Sequence, residues 1–277
     1  MNSTDATAEA WSARIISGFR RSKLHLSWVA LVQALSKFSR FSSQVVRWVS
    51  LWSRIPNLVK FRIHAPVLLE DSQRETLTWQ IVNLEHRMDR RQQSQVEFER
   101  LGLDTHFVRA VERKNGALGC AESHLKVLSN ALAQRPGDLL AVAEDDLQFV
   151  EDRGTLDALI AEFLLHPSLD VMCISNRVTG PSFPISGRLN GSAGVLTTAC
   201  YIAKPRALET LVRVAEKSVQ LLSNGVHLKH GAIDVVWQEA QLTDLLFATP
   251  RTRAARQRAS FSNVANKFAD YGDSAGR

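Results

Sequence analysis

From residue 78 onward, short apolar runs alternate with longer stretches whose apolar residues have helical spacing. The runs that indicate strands are TWQIVNL, HFVRAV, DLLAVAEDD, DVMCIS and GVLTTACYIA. The stretches that indicate helices are DRRQQSQVEFERLGL, GALGCAESHLKVLSNALAQ, TLDALIAEFLL and PRALETLVRVAEKSVQLL. Such alternation is typical of a mostly parallel sheet flanked by helices on both faces. We therefore predict an α/β fold in which residues 76–277 form one domain.

Residues 1–75 have a different character and are predicted to form a basic amphipathic helical extension. Ten Lys or Arg residues and no Asp or Glu lie between Trp11 and Leu69, so the formal net charge of +6 belongs to this part of the chain. Large apolar residues recur every three or four positions over residues 24–52. Such a segment can lie in an anionic membrane interface, pack on its own domain, or contact a twin subunit in a homo-oligomer.

The sequence also indicates in which cellular compartment the protein is expected. Its three cysteines are scattered and apolar in setting, which favours a reducing environment over a disulfide framework. The N-terminus does not have the pattern of a secretory signal. The run WVALVQAL is well short of the roughly 20 residues that cross a bilayer. We expect a cytoplasmic protein, with peripheral association at the inner face of the membrane as the role that the extension could add.

Three consecutive carboxylates, Glu144, Asp145 and Asp146, follow the apolar run LLAVA. Adjacent like charges repel, and a bound divalent cation would offset that repulsion. Alternation along an extended chain would direct Glu144 and Asp146 to one face, where two carboxylates could hold Mn²⁺ or Mg²⁺. A capped helix start or a solvated turn is the alternative for the same three residues.

Other nucleotide and metal motifs are missing from the sequence. It has no G-x-x-x-x-G-K-[ST] and no G-x-G-x-x-G after a strand, so neither a P-loop nor a dinucleotide-binding fold is supported. It also has no H-E-x-x-H and no paired C-x-x-C. Cys120 and His124 are four residues apart and could share a metal ion, but two ligands do not complete a site. Packing of Cys120 in the core is the favoured interpretation.

Four blocks in order, QIVNLEHRMDRR, GALGCAESHLKVL, LLAVAEDDLQF and TTACYIAKPRALETL, resemble glycosyltransferase family 25. This family includes lipooligosaccharide galactosyltransferases and the collagen galactosyltransferases. The resemblance covers about residues 78–270. It implies a GT-A-like, Rossmann-like fold and the inverting transfer of a hexose, with galactose expected, from a nucleotide sugar such as a UDP-hexose. The expected acceptor is a cell-envelope saccharide such as lipopolysaccharide, or a lipid-linked saccharide.

The resemblance also assigns roles to individual residues. The expected metal ligands are Glu144 and Asp146. The expected donor-binding residues lie in the first three blocks: Asn83, Leu84, Arg87, Arg90, Gly119, Ser123, His124, Lys126 and Asp145. Guanidinium groups at Arg87 and Arg90 suit phosphates, although a solvated helix start is the alternative for such residues. A buried core histidine is the alternative for His124.

An inverting transfer requires a general base for the acceptor hydroxyl, and Asp234 is the candidate. Its alternative role is an N-cap, because VVWQEAQL after it has helical character. The sequence departs from the family pattern at Glu85, His86 and Ala143 and in the N-terminal extension, which leaves donor and acceptor open.

Two other classes of protein stay in competition with a transferase acting on glycans. One is a catalytically inactive GT-A-like scaffold that uses the basic arm to hold a partner or a membrane. The other is a nucleotidyltransferase, which would share the metal and the fold class. The arm lacks the interspersed polar and aromatic surface of a groove for single strands, so we expect no nucleic acid partner.

Overall fold

The computed structural model describes residues 77–134, 137–262 and 267–269, and the predicted extension over residues 1–75 lies outside them. The helices are α1 (Met88–Arg100), α2 (Gly116–Gln134), α3 (Arg153–Leu165), α4 (Leu208–Ser223), α5 (Leu228–Gly231) and α6 (Ile233–Thr243). A 3₁₀ turn, Pro205–Ala207, precedes α4. The strands are β1 (Thr78–Asn83), β2 (Thr105–Arg109), β3 (Leu140–Glu144), β4 (Leu147–Phe149), β5 (Val171–Val178), β6 (Ser182–Pro184), β7 (Leu189–Ser192), β8 (Val195–Ala203), β9 (Phe247–Pro250), β10 (Ala255–Gln257), β11 (Ser260–Ser262) and β12 (Lys267–Ala269).

Eight strands form the central sheet, in the order β2-β1-β3-β8-β5-β9-β7-β6. The pairs β1–β2, β1–β3 and β5–β9 are parallel, whereas β8 is antiparallel to both β3 and β5. β7 is antiparallel to β9 and to β6, so six of the eight strands point in one direction. The predicted α/β class with a mostly parallel central sheet flanked by helices is confirmed.

The strand β8 is the main departure from a simple alternation of strands and helices. A parallel neighbour of β5 would need a crossover connection of a dozen or more residues, usually a helix. The chain from β5 to β8 instead forms the short strands β6 and β7, and no helix occurs between residues 171 and 203. β8 therefore enters the sheet in the reverse direction, which the apolar run GVLTTACYIA does not reveal.

Alternate side chains of the strands supply two cores, one on each face of the sheet. On one face Trp79 packs edge-on against Phe98 of α1 and Phe149 of β4, with ring centroids 5.5 and 5.9 Å away. On the other face Tyr201 packs edge-on against Trp237 of α6 at 5.9 Å, within the core under α2, α4 and α6. The two cores explain why the strands have near-continuous apolar runs.

The sheet brings the carboxyl ends of β1 and β3 side by side. Val82 pairs with Glu144 in the parallel ladder, so Asn83 and the acidic residues 144–146 lie at the same edge. Because β8 is antiparallel to β3, the first residues of β8 reach this edge as well. None of the helices in the described ranges is both long and apolar enough to cross a membrane.

Candidate active site

Asp145 is the centre of a buried polar network at this edge. Its Oδ2 accepts a 2.8 Å hydrogen bond from Nδ2 of Asn83, and its Oδ1 accepts one of 2.7 Å from Nη1 of Arg90. The hydroxyl of Ser94 donates to the backbone oxygen of Asp145 at 2.7 Å. Burial raises the pKa of Asp145, and the charge and hydrogen bonds of Arg90 and Asn83 oppose this shift. Residues from three separate parts of the chain therefore meet at one carboxylate.

The neighbouring Asp146 is equally buried but more weakly paired. Its Oδ2 lies 3.5 Å from Nη1 of Arg90, and its Oδ1 accepts a long hydrogen bond of 3.4 Å from Gln257. Burial, together with the negative charge of Glu144, raises the pKa of Asp146 to about 7. A buried carboxylate that is destabilised by neighbouring negative charge is one that a cation would stabilise. The surroundings of the Asp146 carboxylate therefore fit the predicted hard cation.

The third acid, Glu144, turns toward α2 and β8. Its Oε1 accepts a 2.7 Å hydrogen bond from the hydroxyl of Thr198 and lies 3.6 Å from Nε2 of the fully buried His124. Nδ1 of His124 is 3.2 Å from the hydroxyl of Tyr201. Burial acts to raise the pKa of Glu144, but His124, the Thr198 hydroxyl and the charge of Arg90 together hold that pKa below its usual value.

Glu144 also gathers the two candidate ligands of α2. The Cys120 sulfur, a ring nitrogen of His124 and a carboxylate oxygen of Glu144 all lie within 4.8 Å of one another. Among residues 77–134, 137–262 and 267–269, no other group of three or more acid, histidine or cysteine side chains has ligand atoms this close together. Glu144 and Asp146, the predicted metal ligands, share no such group with a third residue, and their pairing on a cation stays a prediction.

Asp234 lies in the first turn of α6, on the β8 side of the acidic residues. The N-cap of α6 is Ala232, so the alternative role of Asp234 as an N-cap is wrong. Its Oδ2 instead accepts a 3.0 Å hydrogen bond from the backbone N–H of Thr197. Burial raises the pKa of Asp234 and Glu144 adds to the rise, whereas the Thr197 N–H opposes it. A carboxylate with raised proton affinity suits a general base.

Thr197, which donates this hydrogen bond to Asp234, has an unusual backbone conformation. Its φ is +75°, in the left-handed region that a β-branched residue rarely adopts. The conformation directs its N–H at Asp234, and its hydroxyl accepts a hydrogen bond from the Ala199 N–H at 3.2 Å. Strained residues of this kind cluster at functional sites, where the surrounding structure holds them.

A cavity of about 480 Å³ opens beside the network, between the ends of β1 and β2 and the side of α2. Its volume is in the range of small-molecule sites. The predicted donor residues Leu84 and Lys126 line it, and the remaining lining residues are Glu85, His86, Arg109, Ala110, Val111 and Glu112. The Lys126 ammonium donates to the backbone oxygen of Arg109 at 3.2 Å, and the Arg109 guanidinium pairs with Glu85 at 2.8 Å, so the wall carries charges of both signs.

Gly119 and Ser123 hold the opposite side of this wall in place. A Cβ on Gly119 would lie 2.6 Å from the backbone oxygen of Val111, so α2 can approach this segment only with glycine there. The Ser123 hydroxyl accepts a 2.8 Å hydrogen bond from the Val111 N–H and donates to the Gly119 oxygen at 2.6 Å. These contacts place both residues behind the cavity wall.

Arg87, another predicted donor residue, forms an ion pair with Asp89 on the surface, with 2.8 Å between Nη2 and Oδ2. The sequence did not single out Thr198, Ser94 or Gln257, which contact the three acids. Each is a polar residue inside an ordinary-looking strand or helix. Spacing therefore carries no signal for them, and only the folded sheet reveals their proximity.

Comparisons with known proteins give similarity at the level of solved structures. No family model and no curated protein matches the sequence. One similar structure is a glycosyltransferase involved in the glycosylation of the major capsid of PBCV-1, with 9% identity and a TM-score of 0.44 over 69% of this chain and 96% of that one. Another is mannose-1-phosphate geranyltransferase from Thermus thermophilus, with 11% identity and a TM-score of 0.38 over 66% and 74% of the two chains.

Proposed function

We propose that this chain is a GT-A-like glycosyltransferase of the family 25 type. In this proposal it transfers a hexose, with galactose expected, from a UDP-sugar to a saccharide of the cell envelope such as lipopolysaccharide, with inversion. One observation carries the proposal. Asn83, Arg90 and Asp145, which come from the first and third resembling blocks, form one hydrogen-bonded network at the carboxyl ends of β1 and β3. Ligands bind at such strand ends in open α/β sheets.

The cavity beside the network is where the donor nucleotide would bind. Lys126 supplies positive charge along its wall, which favours phosphates, whereas Arg109 is paired with Glu85 at 2.8 Å and would have to exchange that partner for a phosphate. Leu84 supplies an apolar surface at the end of β1. Arg90 is held by Asp145 and points toward Asp146, so its guanidinium would keep positive charge between the acids and the donor. Buried acids next to a cavity that also contains Lys126 therefore suit a substrate that carries both a diphosphate and a metal ion.

Glu144 and Asp146 would hold Mn²⁺ or Mg²⁺, which as a Lewis acid stabilises the charge that develops on a leaving diphosphate. Asp146 fits this role because burial and the charge of Glu144 already raise its proton affinity. Asp234 would accept the proton of the acceptor hydroxyl, and the Thr197 N–H would keep its carboxylate oriented during the transfer. The extension over residues 1–75 would bring the enzyme to the inner face of the membrane, where a lipid-linked acceptor resides.

The test is a transfer assay with UDP-galactose and other sugar nucleotides, with and without Mn²⁺, on the full chain. The variant Asp146→Asn removes one charge at nearly constant volume and should reduce transfer at least about 100-fold, since preorganised charge at a leaving group is worth several kcal/mol. Asp104→Asn is the matched control, because Asp104 is exposed and lies outside the acidic group.

The results separate the competing classes of protein. Full transfer by Asp146→Asn would contradict the proposed role of the acids. Donor binding without any transfer product would favour the inactive scaffold. A second assay, with a nucleoside triphosphate and a sugar 1-phosphate, tests for a nucleotidyltransferase, which would form a sugar nucleotide and release pyrophosphate. For the extension, liposome flotation should show binding by the full chain and its loss on removal of residues 1–70. Equal binding by both chains would reject anchoring.

A further inference from the structure

We infer that Cys120, His124 and Glu144 form a binding site for a borderline divalent cation, with Zn²⁺ as the expected ion. Cys120 and His124 are one turn apart on α2, and Glu144 ends the facing strand β3. Their sulfur, nitrogen and oxygen atoms lie within 4.8 Å of one another. This combination of ligands is typical of zinc, whereas Mg²⁺ and Mn²⁺ prefer oxygen ligands alone.

The ring of His124 supplies the independent observation. The side chain is fully buried, and Nε2 has no hydrogen-bond partner among the described residues. A buried ring nitrogen without a partner is costly. Nε2 nevertheless points at Oε1 of Glu144 from 3.6 Å, which is longer than an ordinary N–H···O hydrogen bond. Two ligand atoms at about 2.0–2.1 Å from a tetrahedral zinc ion are about 3.4 Å apart, close to this separation.

The other nitrogen of the same ring is already engaged. Nδ1 lies 3.2 Å from the hydroxyl of Tyr201. When Nδ1–H donates to that hydroxyl, Nε2 carries a lone pair that faces the Glu144 carboxylate, and the two groups repel each other. A cation between them would accept a bond from each and remove that repulsion. Metal-binding histidines almost always donate their second N–H in this way, which fixes the tautomer and the ring orientation.

The oxygen ligand is supported in the same manner. The Thr198 hydroxyl donates a 2.7 Å hydrogen bond to Oε1 of Glu144, which fixes the orientation of the carboxylate. Three protein ligands leave a fourth position for water or an acceptor group, as in open zinc sites. This ion is different from the hard cation proposed at Asp146, and its binding does not depend on the transferase proposal. The two sites share Glu144, which lies between them.

The experiment uses Co²⁺ as a coloured substitute for Zn²⁺ on the full, metal-stripped chain. Wild-type protein should bind one Co²⁺ with a thiolate-to-metal charge-transfer band, and Zn²⁺ should abolish that band stoichiometrically. Cys120→Ser should lose the band, and both Cys120→Ser and His124→Gln should bind Zn²⁺ at least about tenfold more weakly in competition with a chromophoric chelator, since each loses one ligand. The matched control is Cys173→Ala, which removes a buried thiol that lies outside the group.

Circular dichroism establishes that each variant is folded before titration. If Cys120→Ser does not fold, His124→Gln alone decides the matter through the chelator competition. The inference is overturned if folded wild-type protein gives no charge-transfer band. It is equally overturned if the band persists in Cys120→Ser, or if both variants keep the affinity of wild type for Zn²⁺. Loss of transferase activity plays no part in these readouts, so failure here and failure of the proposed function are distinguishable.

Discussion

Replacing Gly119 with alanine tests whether α2 and the cavity wall are in direct contact. The added Cβ would lie 2.6 Å from the backbone oxygen of Val111 and 3.3 Å from the backbone nitrogen of Arg113. Because both neighbours are backbone atoms, no flexible side chain can move aside. Either α2 or the segment after β2 has to shift, and the shift strains the hydrogen bonds that Ser123 makes to the same segment.

The expected magnitude is the difference of two opposing effects. Forcing an extra methyl group into a packed contact costs about 1–3 kcal/mol, and a backbone collision belongs at the upper end. Alanine in a helix gains up to about 1 kcal/mol over glycine. The net loss in the free energy of unfolding is therefore about 2 kcal/mol. With a urea m-value of about 2 kcal/mol/M, the unfolding midpoint should fall by about 1 M.

The same substitution at Gly154 is the control. Gly154 lies in the first turn of α3, and a Cβ there would meet the Asp152 carboxylate at 3.6 Å, an ordinary contact. Gly154→Ala should leave the urea midpoint unchanged or raise it. A Gly119→Ala protein as stable as wild type would refute the close approach of α2 to Val111 and, with it, the rigid cavity wall inferred from that contact.

Two further predictions concern buried charges. Arg90→Met removes the partner of the buried Asp145 and should lower the free energy of unfolding by about 3–5 kcal/mol, because it leaves an uncompensated buried charge. Urea denaturation checks this, and adding Asp145→Asn should recover part of the loss; additive losses would contradict a direct pair. Burial lowers the pKa of Lys204 from 10.5 to about 8, so the unfolded chain binds more protons between these pH values and stability should rise with pH across that window. Lys204→Met should remove this part of the slope in a pH series of denaturation curves, and an unchanged slope would reject the shift.

The helices and the strands of the first half could be predicted closely from the sequence. The helix α2 occupies residues 116–134, as its spacing indicates, because its small and apolar residues recur on the face that packs on the sheet. The short strands β4, β6 and β10 carried no such signal. They have three residues each; β4 and β10 form by pairing with each other although they are distant in sequence, and β6 forms a short hairpin with β7.

The acidic residues show how far the alternation of a strand can be extended. Alternation along a strand predicted that Glu144 and Asp146 share one face. β3 ends at Glu144, however, and residues 145 and 146 form a turn in which a period of two no longer holds. Glu144 itself, the last residue of β3, lies beside Cys120 and His124, which the sequence had left as two ligands without a third.

The prediction for Asp234 was incomplete for a related reason. The helix α6 begins two residues earlier than an N-cap at Asp234 would require, with Ala232 as its N-cap. The Asp234 carboxylate is thereby free to accept from Thr197, a residue on a strand that is distant in sequence. Contacts of this kind depend on the direction of β8, which local composition does not encode.

The reversed direction of β8 determines what kind of groups the site can contain. A sheet of uniformly parallel strands offers a ligand only the loops that leave its strands. Here a strand also starts at that edge, so the hydroxyl of Thr198 and the amide of Thr197 come from an irregular stretch of β8, which lies between Leu196 and Cys200, two residues that pair with β5. New specificity would therefore be easier to introduce in the loops after β1 and β2 than at β8. Any change of register in β8 would move the hydrogen-bond donors of Glu144 and Asp234 together.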